Sequence, residues 1–190
     1  MCGRFSLNRD ISEILKFFPG LSTSQPLSRG NLYPGAQISS VYKGALKNCV
    51  WGFKTQTLRE PLINIRAESA ASKPWFRKYF YKNRCLVPAD AFYEWKDSAL
   101  ESRKIPYRFS MRDNSAFFMA GLLNEENDTC AIITTTPCFL VKPVHNRMPV
   151  IIPRDKMSLW VDNTCADSEL LLPLLTPYDS GKMSMAQTEL

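Results

Sequence analysis

Apolar positions along this chain recur with two different periods. Ile11, Ile14, Leu15 and Phe18 fall three or four apart, the spacing of one helical face. Asp10 followed by Glu13 resembles a capping box, so a helix is predicted over 10–18. Phe76, Tyr79 and Phe80 repeat the spacing, with Pro74 near the first turn of a second predicted helix over 73–83. Elsewhere the apolar residues come in short runs: 41–42, 49–54, 62–67, 85–88, 91–95, 107–111, 116–122, 131–135 and 148–152. Polar breaks separate them, notably Asp90 and the turns at 112–115 and 124–128, so each run reads as a strand. Residues 19–40 are rich in Gly, Ser and Pro and read as a loop, 155–161 and 168–175 as short helices, and 180–190 as a polar tail. Many short strands with few helices predict an α+β domain: a curved or barrel-like, antiparallel β-sheet core with peripheral helices.

Size and composition narrow the class. A chain of 190 residues suggests a single domain over 1–190, large enough to bury a core without staples. Hydrophobic residues at 45% and charged residues at 22% exclude wholesale disorder. No apolar run nears the roughly 18 residues that span a bilayer. The N-terminus lacks the apolar core of a signal peptide. The expectation is a soluble, intracellular protein with no membrane partner: cytoplasmic and nucleoid-associated if bacterial, nuclear if eukaryotic. The six cysteines then read as thiols. With no heptads, a monomer is expected.

Charge is unevenly spread. Residues 1–112 carry 19 Lys and Arg against 8 Asp and Glu, whereas 113–190 carry 5 against 10. A basic first half suggests a polyanion, most simply nucleic acid. The densest stretch holds Arg66, Lys73, Arg77, Lys78, Lys82 and Arg84, interleaved with Trp75, Phe76, Tyr79, Phe80 and Tyr81. Cations and flat rings suit single-stranded nucleic acid, but the helical spacing assigns most of these rings to a core, with the cations on a solvated face.

Several chemistries are excluded. One histidine, no Cys-x-x-Cys and scattered cysteines argue against a metal site. Phosphate-binding and dinucleotide glycine motifs are absent, as is a nucleophile elbow, so no cofactor is expected. What remains is polar residues in apolar surroundings. Cys2 follows Met1 directly. Were Met1 removed, Cys2 would carry a free α-amine beside its thiol. Such an amine, with a pKa of about 7.7 to 8.0, is partly unprotonated near neutral pH and can attack an aldehyde. The thiol can then close a five-membered thiazolidine on the same carbon. The plainer alternative is an arbitrary residue on a frayed end. His145 alone titrates near pH 7, so it is either a proton shuttle or a structural histidine. Glu94 sits between Tyr93 and Trp95, where poor solvation would raise its pKa, unless strand alternation turns it outward. Asn64 lies between Ile63 and Ile65 as a positioning amide or a structural hydrogen-bonder.

Together these segments resemble the SRAP family, the SOS-response-associated peptidases regarded as abasic-site-processing proteins. The resemblance is carried by Met1-Cys2-Gly3-Arg4-Phe5, Asn64-Ile65-Arg66-Ala67-Glu68, Arg84-Cys85-Leu86-Val87-Pro88-Ala89 and Phe92-Tyr93-Glu94-Trp95. Ala120-Gly121-Leu122, Ile132-Ile133-Thr134-Thr135 and His145-Asn146-Arg147-Met148-Pro149 complete it. It runs from residue 1 to about 153, and the family's C-terminal strand is not legible in 182–190. It implies capture of abasic sites in single-stranded DNA as a thiazolidine crosslink, with associated lyase and self-processing activity. Cys2 would be the nucleophile. Asn64 would position the amine or sugar, Glu94 would assist ring opening, and His145 would act as acid and base. It also implies phosphate contacts from Arg4, Arg66 and Arg147 and DNA-path contacts from Trp51, Trp95 and Pro34. Arg84, from the basic stretch, joins them as an expected DNA contact.

Two other readings compete. One is a thiol peptidase pairing Cys2 with His145. The other is a non-covalent single-strand-binding module with Cys2 incidental.

Overall fold

The structure is a computed structural model, described here for residues 2–56, 58–97 and 103–189. In chain order its main elements are β1 (Phe5–Leu7), α1 (Ile11–Leu15), β2 (Gly30–Leu32), β3 (Gln37–Tyr42), β4 (Ala45–Trp51) and β5 (Asn64–Arg66). Then come α2 (Ala67–Ala70), α3 (Pro74–Lys82), β6 (Arg84–Ala89), β7 (Ala91–Lys96), β8 (Ile105–Met111) and β9 (Phe117–Asn124). The chain ends with β10 (Thr129–Thr135), β11 (Met148–Pro149), α4 (Met157–Val161), α5 (Ser168–Leu171) and β12 (Met183–Gln187).

Five strands close a barrel in the order β4-β3-β6-β9-β10, with β10 returning to β4. Four of its seams are antiparallel, as expected. The closing seam is parallel, pairing Thr129 and Cys130 with Val50 and Trp51. Strand alternation carries no sign of strand direction, so the sequence pattern could not reveal it. Closure leaves β6, β9 and β10 buried along their whole lengths, which is why they read as continuous apolar runs rather than alternating ones. Gly121 lies in β9 where a Cβ would stand 2.9 Å from Cys85 Sγ and 3.2 Å from the Ala131 carbonyl. Only a bare Cα fits that close approach.

The second sheet, β12-β8-β7-β1-β2, is wholly antiparallel. The chain passes from barrel to second sheet between β6 and β7, at Asp90. Its buried carboxylate accepts hydrogen bonds from Ser6 Oγ and the Asn8 amide, tying that corner to β1. The polar break in the sequence is thus a buried, satisfied joint.

The remaining elements cover the sheets. α1 is shorter than predicted, and Asp10 makes no side-chain cap bond. Phe17 and Phe18 instead leave the helix and pack edge-on against Phe118, at 5.0 and 5.3 Å between centroids. In α3 the rings of Phe76, Tyr79 and Phe80 are buried, the first two against Phe53, while Arg77, Lys78 and Lys82 are exposed. The segment expected as a polar tail is corrected: β12 pairs residue for residue with β8, from Met183 against Met111 to Gln187 against Tyr107. Only Met183 of this edge strand is buried, so its sequence carries almost no apolar signature. The loop expected over 19–40 likewise contains β2 and the start of β3.

Candidate active site

The site lies where the two sheets meet. β1 pairs with β7 through Phe5 against Phe92. The preceding residues continue alongside β7, with the Tyr93 amide donating to the Arg4 carbonyl at 3.0 Å. Cys2 is thereby held in the core, fully buried, rather than on a frayed end. Its thiol faces the Arg4 carbonyl at 3.9 Å. From β5, Asn64 donates through Nδ2 to the Cys2 carbonyl at 2.8 Å.

β10 positions the other side. It pairs with β5 along one edge, Thr134 opposite Arg66, and with β11 along the other, Thr134 opposite Pro149. The segment entering β11 carries His145 and Arg147. His145 Nδ1 stands 3.8 Å from Glu94 Oε2. The Arg147 amide donates to the same Nδ1 at 3.0 Å. Nδ1 also lies 3.1 Å from the Arg147 carbonyl, so it accepts from the Arg147 amide in one tautomer and donates to that carbonyl in the other. The Arg147 guanidinium reaches back to α2, where Glu68 takes it in two hydrogen bonds of 2.6 and 2.9 Å, and it also donates to the Thr134 carbonyl.

Burial sets the electrostatics. Glu94 is 2% exposed, and burial pushes its carboxyl up to about 7. Burial also lowers the His145 pKa. Glu94 can therefore gain or lose a proton near neutral pH, while burial favours the neutral form of His145. The Cys2 thiol is pushed far above its ordinary value, by burial first and by the Glu94 charge second, and so is neutral. Among the described residues, Arg4 Nε, Asn64 Oδ1, Thr134 Oγ1 and Arg147 Nε are buried in this region with no hydrogen-bond partner. Buried polar atoms of this kind are expensive unless water or a ligand supplies the missing partner.

Cys2, Asn64, Glu94 and His145 are thus brought together from four distant parts of the chain. The residues expected along a DNA path divide. Arg4 lies over the rings of Tyr33 and Tyr93 at 4.8 and 5.4 Å. Pro34 and Arg66 are exposed and Trp95 is half-buried on β7 beside Glu94. Trp51 is corrected: it is fully buried, packs on Phe5 at 5.1 Å and donates its indole N–H to the Ile63 carbonyl. Arg84 is corrected too. Its guanidinium is buried, donating to the carbonyls of Phe80, Trp160, Asp162 and Cys165. Both side chains are consumed by the interior and present nothing to a strand. Glu68 was not singled out from the sequence, because an exposed acid one turn into a short helix has no distinguishing pattern until its partner is known. All six cysteines are free thiols, and no described helix is long and apolar enough to cross a membrane.

A closed barrel and its companion sheet bring a buried Cys2, the Asn64 amide bonded to it and the Glu94–His145 pair into one site. The chain belongs to the SOS response associated peptidase (SRAP) family, whose model matches residues 1–189. It is 34% identical to the abasic site processing protein YoqW of Bacillus subtilis, over 98% of this chain and 92% of that one. It is 24% identical to the abasic site processing protein YedK of Escherichia coli, over 89% and 83%. A crystal structure of a Bacteroides thetaiotaomicron protein superposes with a TM-score of 0.85 at 21% identity, covering 99% of this chain and 92% of that one, and shares its fold.

Proposed function

We propose that this protein processes abasic sites in single-stranded DNA, capturing the open-chain sugar aldehyde on Cys2. The observation that carries the reading is a fully buried Cys2 bonded to Asn64 and close enough to feel the charge of Glu94, which in turn stands 3.8 Å from His145. Relatives named as abasic site processing proteins over nearly the whole chain support it.

The chemistry is a condensation without redox change. Once Met1 is removed, the Cys2 amine adds to the aldehyde carbon and water leaves, giving an imine. The thiol then adds across the C=N bond, sulfur to carbon and proton to nitrogen, closing a thiazolidine. Asn64 holds the Cys2 backbone through Nδ2, and its unpartnered Oδ1 can accept from the freed amine. Glu94, with its pKa near 7, delivers a proton to the ring oxygen of the closed sugar and takes one back during condensation. His145 serves the oxygen that leaves as water, giving and taking a proton through its imidazole. β-Elimination of the 3′ phosphate from the imine is the lyase branch of the same intermediate. Arg4, Arg66 and Arg147 supply cations for phosphates, and Trp95 and Pro34 line the strand's path.

Cys2 is buried and precedes a strand rather than sitting at a helix N-terminus that would activate its thiol, which disfavours the peptidase alternative. The self-processing implied by the family resemblance is then confined to removal of Met1, a step that a methionine aminopeptidase can equally perform. The test is a denaturing gel of Met1-free protein with single-stranded DNA carrying one abasic site. An adduct that survives denaturation and is lost in Cys2→Ala supports capture. Reversible, salt-sensitive binding indifferent to Cys2→Ala would favour the plain binding module instead.

A further inference from the structure

Arg147 is placed to meet a DNA phosphate, yet it already has a counter-ion. Glu68 grips both its terminal nitrogens, at 2.6 and 2.9 Å, in the bidentate geometry that makes such pairs strong. The two side chains are unequally placed: that of Arg147 is 13% exposed and that of Glu68 is 55%. The carboxylate therefore stands between the guanidinium and solvent. The rest of Arg147 is committed inward, one terminal nitrogen to the Thr134 carbonyl and the backbone amide to His145 Nδ1, while its buried Nε has no hydrogen-bond partner. A shallow groove of about 540 Å³ opens beside Glu68, lined by Thr135, Thr136 and Leu172. It gives the displaced carboxylate space to turn into.

We propose that Glu68 is a specificity-determining residue that competes with DNA phosphate for Arg147, weakening the hold on undamaged strands. This rests on the abasic-site reading above. A phosphate that follows an intact strand through the site must displace Glu68 and gains only the difference between two similar ion pairs. A strand anchored covalently at Cys2 holds its phosphate at high local concentration and displaces Glu68 readily. The guanidinium passes from carboxylate to phosphate without moving, so the Arg147 amide stays on His145 Nδ1 throughout. The arrangement gives discrimination at the phosphate, where base and lesion are not read directly.

The test measures binding of undamaged single-stranded DNA by full-length wild-type protein, Glu68→Gln, Glu68→Ala, Arg147→Gln and the Glu68→Gln/Arg147→Gln pair, with melting temperature as the folding check. Glu60→Gln, an exposed acid elsewhere, controls for the loss of one negative charge. Freeing Arg147 adds about one phosphate contact, steepening the salt slope by roughly 0.7. Glu68→Gln is therefore expected to bind undamaged strand at least about threefold tighter at 50 mM salt, with an advantage that shrinks about 2.5-fold by 200 mM. Glu68→Ala should behave alike, Glu60→Gln should not, and the gain should vanish in the Arg147→Gln background. An unchanged or weaker affinity in Glu68→Gln, or a gain that survives Arg147→Gln, overturns the proposal. Failure of the wild type and every variant to bind undamaged strand also overturns the proposal, whereas failure of Met1-free wild type to form an adduct with an abasic strand, run alongside, means that the abasic-site reading itself fails.

Discussion

Replacing Arg84 separates a residue that holds the fold from one that grips DNA. The guanidinium is fully buried, lies over the Trp160 ring at 5.7 Å and donates to four backbone carbonyls. Two of these bonds, to Phe80 at 2.7 Å and Trp160 at 2.8 Å, are entirely buried, so water cannot replace the donor. The other two are partly exposed and can be re-satisfied. A hydrogen bond to a charged group contributes about 1.5 to 3 kcal/mol. Counting the two buried bonds alone, Arg84→Met should cost about 4 kcal/mol, a large share of the 5 to 15 kcal/mol that typically holds a domain. For a chain of this size that lowers the melting temperature by about 8 to 16 °C. Arg84→Lys keeps the charge but supplies fewer donors in a different geometry, and should cost about half as much. The assay is urea unfolding followed by tryptophan fluorescence. At low temperature, where the variants remain folded, affinity for single-stranded DNA should stay within about twofold of wild type, since a buried group contributes nothing to the phosphate contacts that dominate binding. A stability loss under about 1 kcal/mol together with a marked fall in DNA affinity would refute the structural assignment.

Glu94 predicts a pH signature. Its carboxyl is raised in the fold from 4.5 to about 7, so the folded state favours the protonated form. At about 1.4 kcal/mol per pKa unit, about 3 kcal/mol of stability is present below pH 4.5 and lost as pH rises to 7. Urea midpoints of Glu94→Gln minus wild type should climb across that window and level off above it; a flat difference contradicts the burial argument. The adduct-formation rate of the wild type should also show an inflection near pH 7 that Glu94→Gln abolishes. Asn64→Ala loses the 2.8 Å bond to the Cys2 carbonyl, about 1 kcal/mol of positioning, so adduct formation should slow roughly fivefold with affinity for undamaged strand unchanged. An equal loss in both would mean Asn64 contacts the strand rather than Cys2.

The sequence was most informative where chemistry and burial coincide. Glu94 between aromatics and Asn64 between isoleucines are conspicuous because a polar residue in an apolar run needs a reason, and both sit in the site. The helix over 73–83 was legible because its buried face has a period of its own, and the same period assigned its rings to the core. The parallel seam of the barrel was hidden because it depends on residues far apart in the chain. β12 was hidden because an edge strand with one buried residue has no apolar pattern. The expectation that Arg84 meets DNA fails for a related reason. Side-chain type suggests a surface role for an arginine, while only the fold shows four carbonyls converging on it. Glu68 was silent until Arg147 arrived beside it, 79 residues away in the chain.

The central claim is that Cys2 supplies both amine and sulfur to one sugar carbon. Intact-mass analysis of Met1-free protein, incubated with an abasic single strand and then treated with borohydride, tests it most directly. The account predicts a product equal to protein plus DNA less one water, unchanged by borohydride because no C=N bond remains, and an adduct from Cys2→Ser that persists only after reduction adds two hydrogens. A wild-type adduct that needs borohydride to survive, or one that forms equally in Cys2→Ala, would contradict it.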